Sequence, residues 1–394
     1  MSQPECTLEI IKAFEGDCFF LSFTFENRSF NMMIDSGPSK CWNGELRAFL
    51  DNLNSMGKRI NVLLITHIDS DHIGGALKLF AEEKYSKMVD EVWYNGLPQI
   101  TNAVSSSTSA TEERAFLHLQ SMHYYNTEEP TGPISVKQAQ SLSNLLRTKH
   151  IPVNIPANGS AITSLTNTVH PSDDFRIDFL LPKPIRLQEL KTKFKVELYK
   201  VCSCDNFSTT PSAELTFEYT MLDENPQFDL VVPISQNIPN IMRLQEWAFS
   251  ESNADKSKTN ASSIAICINY YGKKLLFLGD ANSEDICDAL ADWSAGTNQE
   301  LFFDVVKLPH HGASGNNLDI LNMLDARLFL LSTDGAKFSH PSKETVAKIV
   351  SRPTDTTRHL VFNYCNSIYD LFSDANTQKQ YNYDIHLYDN PIEI

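Results

Sequence analysis

The sequence predicts an α/β fold whose strands end on polar loops that converge on one edge. Three observations carry this expectation. Phe30–Ile34, Glu45–Met56 and Asn61–Ile65 read as strand, helix and strand, a βαβ pattern. Four strand-like runs each hand over to a loop bearing imidazole or carboxylate groups. Those loops hold His67–His72, Gly279-Asp280, His310-His311 and His340-Pro341.

The elements follow in order. Leu8–Ile11 and Cys18–Phe25 read as strands around the turn Glu15-Gly16-Asp17, and Phe30–Ile34 runs into Asp35 and Gly37. Asp35 is suited equally to orienting a ligating histidine or to bonding its own turn. Leu46, Phe49, Leu50 and Leu53 give the Glu45–Met56 helix its apolar face. Gly74-Gly75 reads as a turn entering a helix over Ala76–Phe80, and Val89–Tyr94 as the next strand. The Ser/Thr-rich stretch 101–113 reads as a loop. Helices are expected over 113–124, carrying His118 and His123 on its surface or in packing, and over 136–149. His170 is expected in a loop before the strand Phe175–Pro182. Residues 186–259 read as a polar insertion with a short helix at Arg243–Phe249 and a mobile linker at its end. Its expected use is a lid, a surface for a protein partner or a substrate-selecting loop, and the sequence does not choose among them.

Regular order returns at Asn260. Ser263–Tyr270 and Lys274–Leu278 form a hairpin about Tyr271-Gly272-Lys273, and Ser283 caps a helix to Trp293. Phe302–Leu308 and Arg327–Ser332 are strands, with a helix over Leu318–Leu324 between them. Ser342 caps a helix over Lys343–Val350, and Leu360–Tyr364 and Tyr383–Tyr388 close the fold.

Composition bounds the function. The chain has 394 residues, 42% of them hydrophobic and 21% charged, as in a globular protein. No run of roughly 18 apolar residues is present, and the first residues lack the regions of a signal peptide, so a soluble cytoplasmic protein without a membrane is expected. The eight cysteines are scattered and read as free thiols, and Cys202-Ser-Cys204 is too tight for a zinc ribbon. A net charge of −16 argues against broad electrostatic binding of nucleic acid, though bound metal would offset it locally.

The strongest chemical signal is Thr66-His67-Ile-Asp69-Ser-Asp71-His72-Ile-Gly-Gly75. His67 and Asp69 are two apart and face one side of an extended chain, while Asp71 and His72 follow at the turn. The arrangement suits two metal ions. No Ser/His or Cys/His arrangement competes, and there is no Walker-type phosphate loop.

Together with Leu-Gly-Asp280-Ala, Leu-Pro-His310-His311-Gly, His340-Pro, Gly16-Asp17 and Ile34-Asp35-Ser-Gly37, this motif resembles the metallo-β-lactamase superfamily. Within it, the chain looks like the branch that includes the hydrolase domain of the DNA-uptake protein ComEC and the phosphorylcholine esterases. The resemblance implies one αβ/βα four-layer sandwich domain over 1–394, interrupted by the insertion at 186–259. It implies two divalent ions, zinc or manganese with magnesium a further choice. His67, Asp69 and His311 would hold one, Asp71, His72 and His340 the other, and Asp280 would bridge them. His310 and His311 stay open as alternatives for the ligand. Asp69 departs from the family pattern, which has a second histidine there, and shifts the preference toward manganese or magnesium. The implied reaction is phosphodiester hydrolysis by a bridging hydroxide, with Asp71 orienting it and His310 protonating the leaving oxygen. Nucleic acid is the first substrate class and a small phosphodiester the second. The alternatives are lactone or amide hydrolysis and a metal-stabilised scaffold or regulatory subunit without turnover.

Overall fold

The computed structural model describes residues 4–101, 114–118, 141–202, 209–221, 241–337 and 339–394. Its strands are β1 (Glu5–Ile10), β2 (Phe19–Phe25), β3 (Arg28–Ile34), β4 (Ile60–Leu64), β5 (Val89–Trp93), β6 (Val169–Ser172) and β7 (Phe175–Leu181). After these come β8 (Ala265–Tyr270), β9 (Lys273–Phe277), β10 (Phe302–Lys307), β11 (Asp325–Leu331), β12 (Arg358–Phe362), β13 (Tyr383–Leu387) and β14 (Ile392–Glu393). One sheet runs β14-β1-β2-β3-β4-β5, the other β13-β12-β11-β10-β9-β8-β7-β6. Pairing is parallel from β3 to β5 and from β9 to β13.

Alternation within the strands builds the layers. Phe19, Leu21 and Phe23 of β2 point into the space between the sheets, where they meet Phe175, Ile177, Ile266 and Phe277. Phe20 points the other way, into a core with Leu46, Leu50 and Leu53 of the helix Glu45–Ser55. The outer face of the second sheet packs Phe329, Leu331 and Leu360 against Ile286, Leu290, Val346 and Ile349 of the helices Ser283–Thr297 and Lys343–Ser351. Helices outside two facing sheets make the expected four-layer αβ/βα sandwich.

Several expectations need correction. The helix after the His67 motif starts at Ser70 and runs to Ala81, so Gly74 and Gly75 lie inside it. Helical glycine usually weakens a helix, but here it permits close approach: a Cβ on Gly75 would meet Ser36 O at 2.1 Å. His170 lies on β6 and is exposed there, paired beside β7. Asn282, not Ser283, caps its helix by accepting from Asp285 N. Leu318–Leu324 reduces to a 3-10 turn, Ile320–Asn322. Ser342 stands at the helix N-cap, but its Oγ accepts from Ser314 N. The helices Ser367–Phe372 and Ala375–Tyr381 and the short β14 were not anticipated. His123, the 102–113 part of the predicted loop, and the start of the 136–149 helix lie outside the described residues.

The largest difference is in 186–259. Helices occupy Pro184–Cys202, Pro211–Met221 and Ile241–Ala248. Leu190, Phe194, Leu198, Ala213 and Phe217 are buried in the first sheet's helical layer, whereas Leu244 and Ala248 join the second's. Glu218 fastens this packing: its carboxylate accepts from Leu142 N, Ser143 N and Tyr94 Oη. The region is built into both helical layers because its apolar residues share helix faces.

Candidate metal centre

The parallel strands bring the predicted loops to one rim. Asp35 follows β3, His67 follows β4, Asp280 follows β9, His310 and His311 follow β10, and His340 lies beyond β11. The two sheets are tied here by Ile264 N donating to Thr66 O at 2.8 Å and Ser332 Oγ donating to Gly16 O at 3.2 Å. A Cβ on Gly16 would meet Asp71 O at 1.9 Å, so only glycine lets this turn close onto the motif and set Asp17 beside it.

Three imidazoles are held in the same way. His72 Nδ1 lies 2.8 Å from Asp35 Oδ2, His311 Nδ1 lies 2.9 Å from Ser332 O, and His67 Nδ1 lies 3.1 Å from Thr66 Oγ1. Their Nε2 atoms are buried and have no hydrogen-bond partner among the described residues. Instead, each Nε2 faces carboxylates at non-bonded spacing. His67 Nε2 is 3.5 Å from Asp69 Oδ2. His72 Nε2 is 3.4 Å from Asp280 Oδ2 and 3.8 Å from Asp71 Oδ2. His311 Nε2 is 3.4 Å from Asp71 Oδ2 and 3.5 Å from Asp280 Oδ2. Two ligands of one ion at tetrahedral angles sit about 3.4 Å apart. Orphaned Nε2 atoms at that spacing from carboxylates fit divalent metal, with Asp35, Ser332 and Thr66 fixing the rings from behind.

Asp17, His72, Asp280 and His311 each offer a ligand atom within 4.8 Å of the others. Asp17, from the Gly16-Asp17 turn, thus also lies at the centre. It sits behind His311, 3.3 Å from Nδ1, and ion-pairs with the buried Lys307. Lys307 Nζ also donates to Gly279 O at 3.0 Å and lies 3.4 Å from Asp280 Oδ1. Burial opposes ionisation of Asp280, but His311, His72 and Lys307 outweigh it and hold the carboxyl well below its usual range. Burial likewise opposes a charge on His311, yet Asp280 and Asp17 push its pKa up to about 10.

The two neighbouring histidines behave differently. Both have left-handed backbone, with φ 48° at His310 and 51° at His311, and their ring centres stand 6.1 Å apart at 66°. His311 is buried in the ligand cluster. His310 is partly exposed, with its Nδ1 3.1 Å from Asn316 Oδ1 and 3.3 Å from Asp255 Oδ2. Asn316 Nδ2 donates to Ala281 O and Asp255 Oδ2, which turns its Oδ1 toward His310. Asp255 comes from the stretch expected to be a mobile linker. His340 stacks edge-on to His310 with ring centres 5.3 Å apart and is not in the close four-residue group.

Fold and site together define an αβ/βα four-layer sandwich with candidate metal ligands at its rim. The family model described as "Metallo-beta-lactamase superfamily" matches residues 15–100, the stretch that carries Asp17, Asp35 and His67–His72. Among solved structures, the chain is similar to Zn(2+)-bound PqqB from Methylobacterium extorquens: 11% identity, 95% of this chain and 87% of that one covered, TM-score 0.37. It is also similar to Rm3 metallo-beta-lactamase (9% identity, 75% and 76% covered, TM-score 0.26). A metallo-beta-lactamase of Cronobacter sakazakii with a HARLDQ motif matches at 12% identity, with 75% and 76% covered and TM-score 0.26. No curated protein matches the chain.

Proposed function

We propose that this chain is a metal-dependent phosphodiesterase, acting on nucleic acid first and small phosphodiesters second. The observation that carries this reading is the common pose of His67, His72 and His311, each held at Nδ1 with its Nε2 turned into carboxylates. His67 and Asp69 would hold one divalent ion, and Asp71 and His72 the other, with Asp280 between them. His311 lies nearest Asp71 and Asp280, and His340 approaches from the His310 side. Two divalent ions bound there supply a nucleophile at neutral pH and offset charge on the phosphoryl oxygens.

The chain's own groups do the rest. Asp71 accepts a hydrogen bond from the attacking water and orients it. His310 is set to give a proton from Nε2 to the leaving oxygen, because Asn316 and Asp255 occupy Nδ1. Burial disfavours its charged form, but the hydrogen bond to Asp255 outweighs this and raises its pKa. Asp69 in place of an imidazole makes the centre harder and favours manganese or magnesium. The finer resemblance to the ComEC-like and phosphorylcholine esterase branch supports phosphodiesters over lactones.

The net charge of −16 favours the second substrate class, small phosphodiesters, unless a basic partner presents nucleic acid. A metal-stabilised scaffold, with 186–259 as its binding surface, is the rival of another class. The test is turnover of an aryl phosphodiester, a cyclic nucleotide, single-stranded DNA and a lactone by wild type and His310→Ala. Phosphodiester turnover that falls about 10²–10⁴-fold in His310→Ala supports the reading. Lactone turnover alone, or none on any substrate, would overturn it.

A further inference from the structure

A second group of metal-ligating side chains lies away from the rim. His359 is near the start of β12, and Asp384 and His386 are on β13, whereas the candidate centre lies beyond the far ends of β9 to β11. The parallel register sets His359 opposite Asp384 and Val361 opposite His386. Side chains alternate along a strand, so His359, Asp384 and His386 project from one face. The other face sends Leu360, Phe362, Tyr383 and Ile385 into the helix-side core, which fixes this orientation.

Their spacing is that of ligands. His359 Nδ1 lies 3.5 Å from Asp384 Oδ2, long for a hydrogen bond and close to the separation of two groups on one ion. The His359 and His386 rings stack at 28° with centres 5.8 Å apart. One ligand atom from each of the three residues lies within 4.8 Å of the others. A surface histidine–carboxylate pair alone would contribute little, and it gives no reason for the second imidazole. Neighbouring strands of one sheet hold all three residues, so little backbone has to be ordered on binding. β13 is the sheet's edge strand, and the His359 and Asp384 side chains are 42% and 49% exposed, which leaves an ion free access.

We propose that His359, Asp384 and His386 bind one late first-row transition-metal ion, of the Cu²⁺, Ni²⁺ or Zn²⁺ class, that clasps β13 to β12. Two imidazoles and one carboxylate select such ions over Mg²⁺ or Ca²⁺. The donor set is softer than the carboxylate-rich centre at the rim, so the two sites take different metals from a mixture.

Cu²⁺ is the probe, read by equilibrium dialysis and electron paramagnetic resonance on the full chain. Wild type is expected to hold one more Cu²⁺ than His386→Ala, in a signal showing coupling to two nitrogens. The affinity of that ion should fall at least roughly tenfold in His386→Ala and in His359→Ala, no less than for losing an outer partner of a ligand. Asp280→Ala, altered only at the rim, should keep the signal. Equal copper content and identical spectra in wild type, His386→Ala and His359→Ala would overturn the proposal. So would a two-nitrogen signal that vanishes in Asp280→Ala.

Discussion

Lys307 Nζ lies 3.4 Å from Asp280 Oδ1 and pairs with Asp17, and all three side chains are almost wholly buried. The lysine takes the outer oxygen of Asp280, so Oδ2 alone faces His72 and His311. Lys307→Met keeps the length but strands Asp17 as a buried charge, with an expected cost of about 3–5 kcal/mol. Asp17→Asn added to it should recover most of that stability. Urea unfolding of the two variants checks this. A double variant no more stable than the single would contradict the coupling.

Asp35 accepts from Thr66 N and Thr66 Oγ1, each at 2.8 Å, and holds His72 Nδ1. Asp35→Asn suits the left-handed backbone there, φ 57°, so the turn survives. The lost carboxylate should cost roughly 10–100-fold in metal affinity with little loss of fold. Competition with a chelator measures it.

Replacing an exposed glycine inside a helix by alanine normally gains about 1 kcal/mol. Gly75→Ala should do the reverse and cost about 1–3 kcal/mol, because its Cβ would meet Ser36 O at 2.1 Å and Leu46 Cδ2 at 2.7 Å. Thermal unfolding decides the sign.

Glu218 titrates in the interior. Burial pushes its pKa up from 4.5 to about 7, against bonds from Leu142 N, Ser143 N and Tyr94 that favour the ionised form. A raised folded pKa means stability that is fully present below pH 4.5 and lost as pH rises through about 7. Amide exchange in the helix Pro211–Met221, corrected for its intrinsic rate, should quicken between pH 5 and 8 (on the order of one unit either side of the transition). Glu218→Gln should flatten that dependence.

The rim was largely legible in sequence because its chemistry is local. His67, Asp69, Asp71 and His72 fall within six residues, and Asp280 and His311 directly follow apolar strands. What stayed hidden depends on long-range packing. Asp17 and Lys307 lie far apart in sequence and meet only when the two sheets close. Asp255 reads as part of a polar linker until Asn260, Asn316 and His310 gather around it. The helix starting at Ser70 was hidden by Gly74-Gly75, whose turn signal is overridden by close packing on Ser36 and Ser39. The Pro184–Cys202 helix was readable from Leu187, Leu190, Phe194 and Leu198, but the polar residues between them masked the period.

The most direct test is metal content measured beside hydrolysis of a generic aryl phosphodiester, with manganese, zinc or magnesium added to metal-free protein. Close to two ions per chain at the rim, with turnover that is lost in Asp71→Ala, is the predicted result. A chain that binds no metal there, or that turns over equally well as Asp71→Ala, would contradict the account.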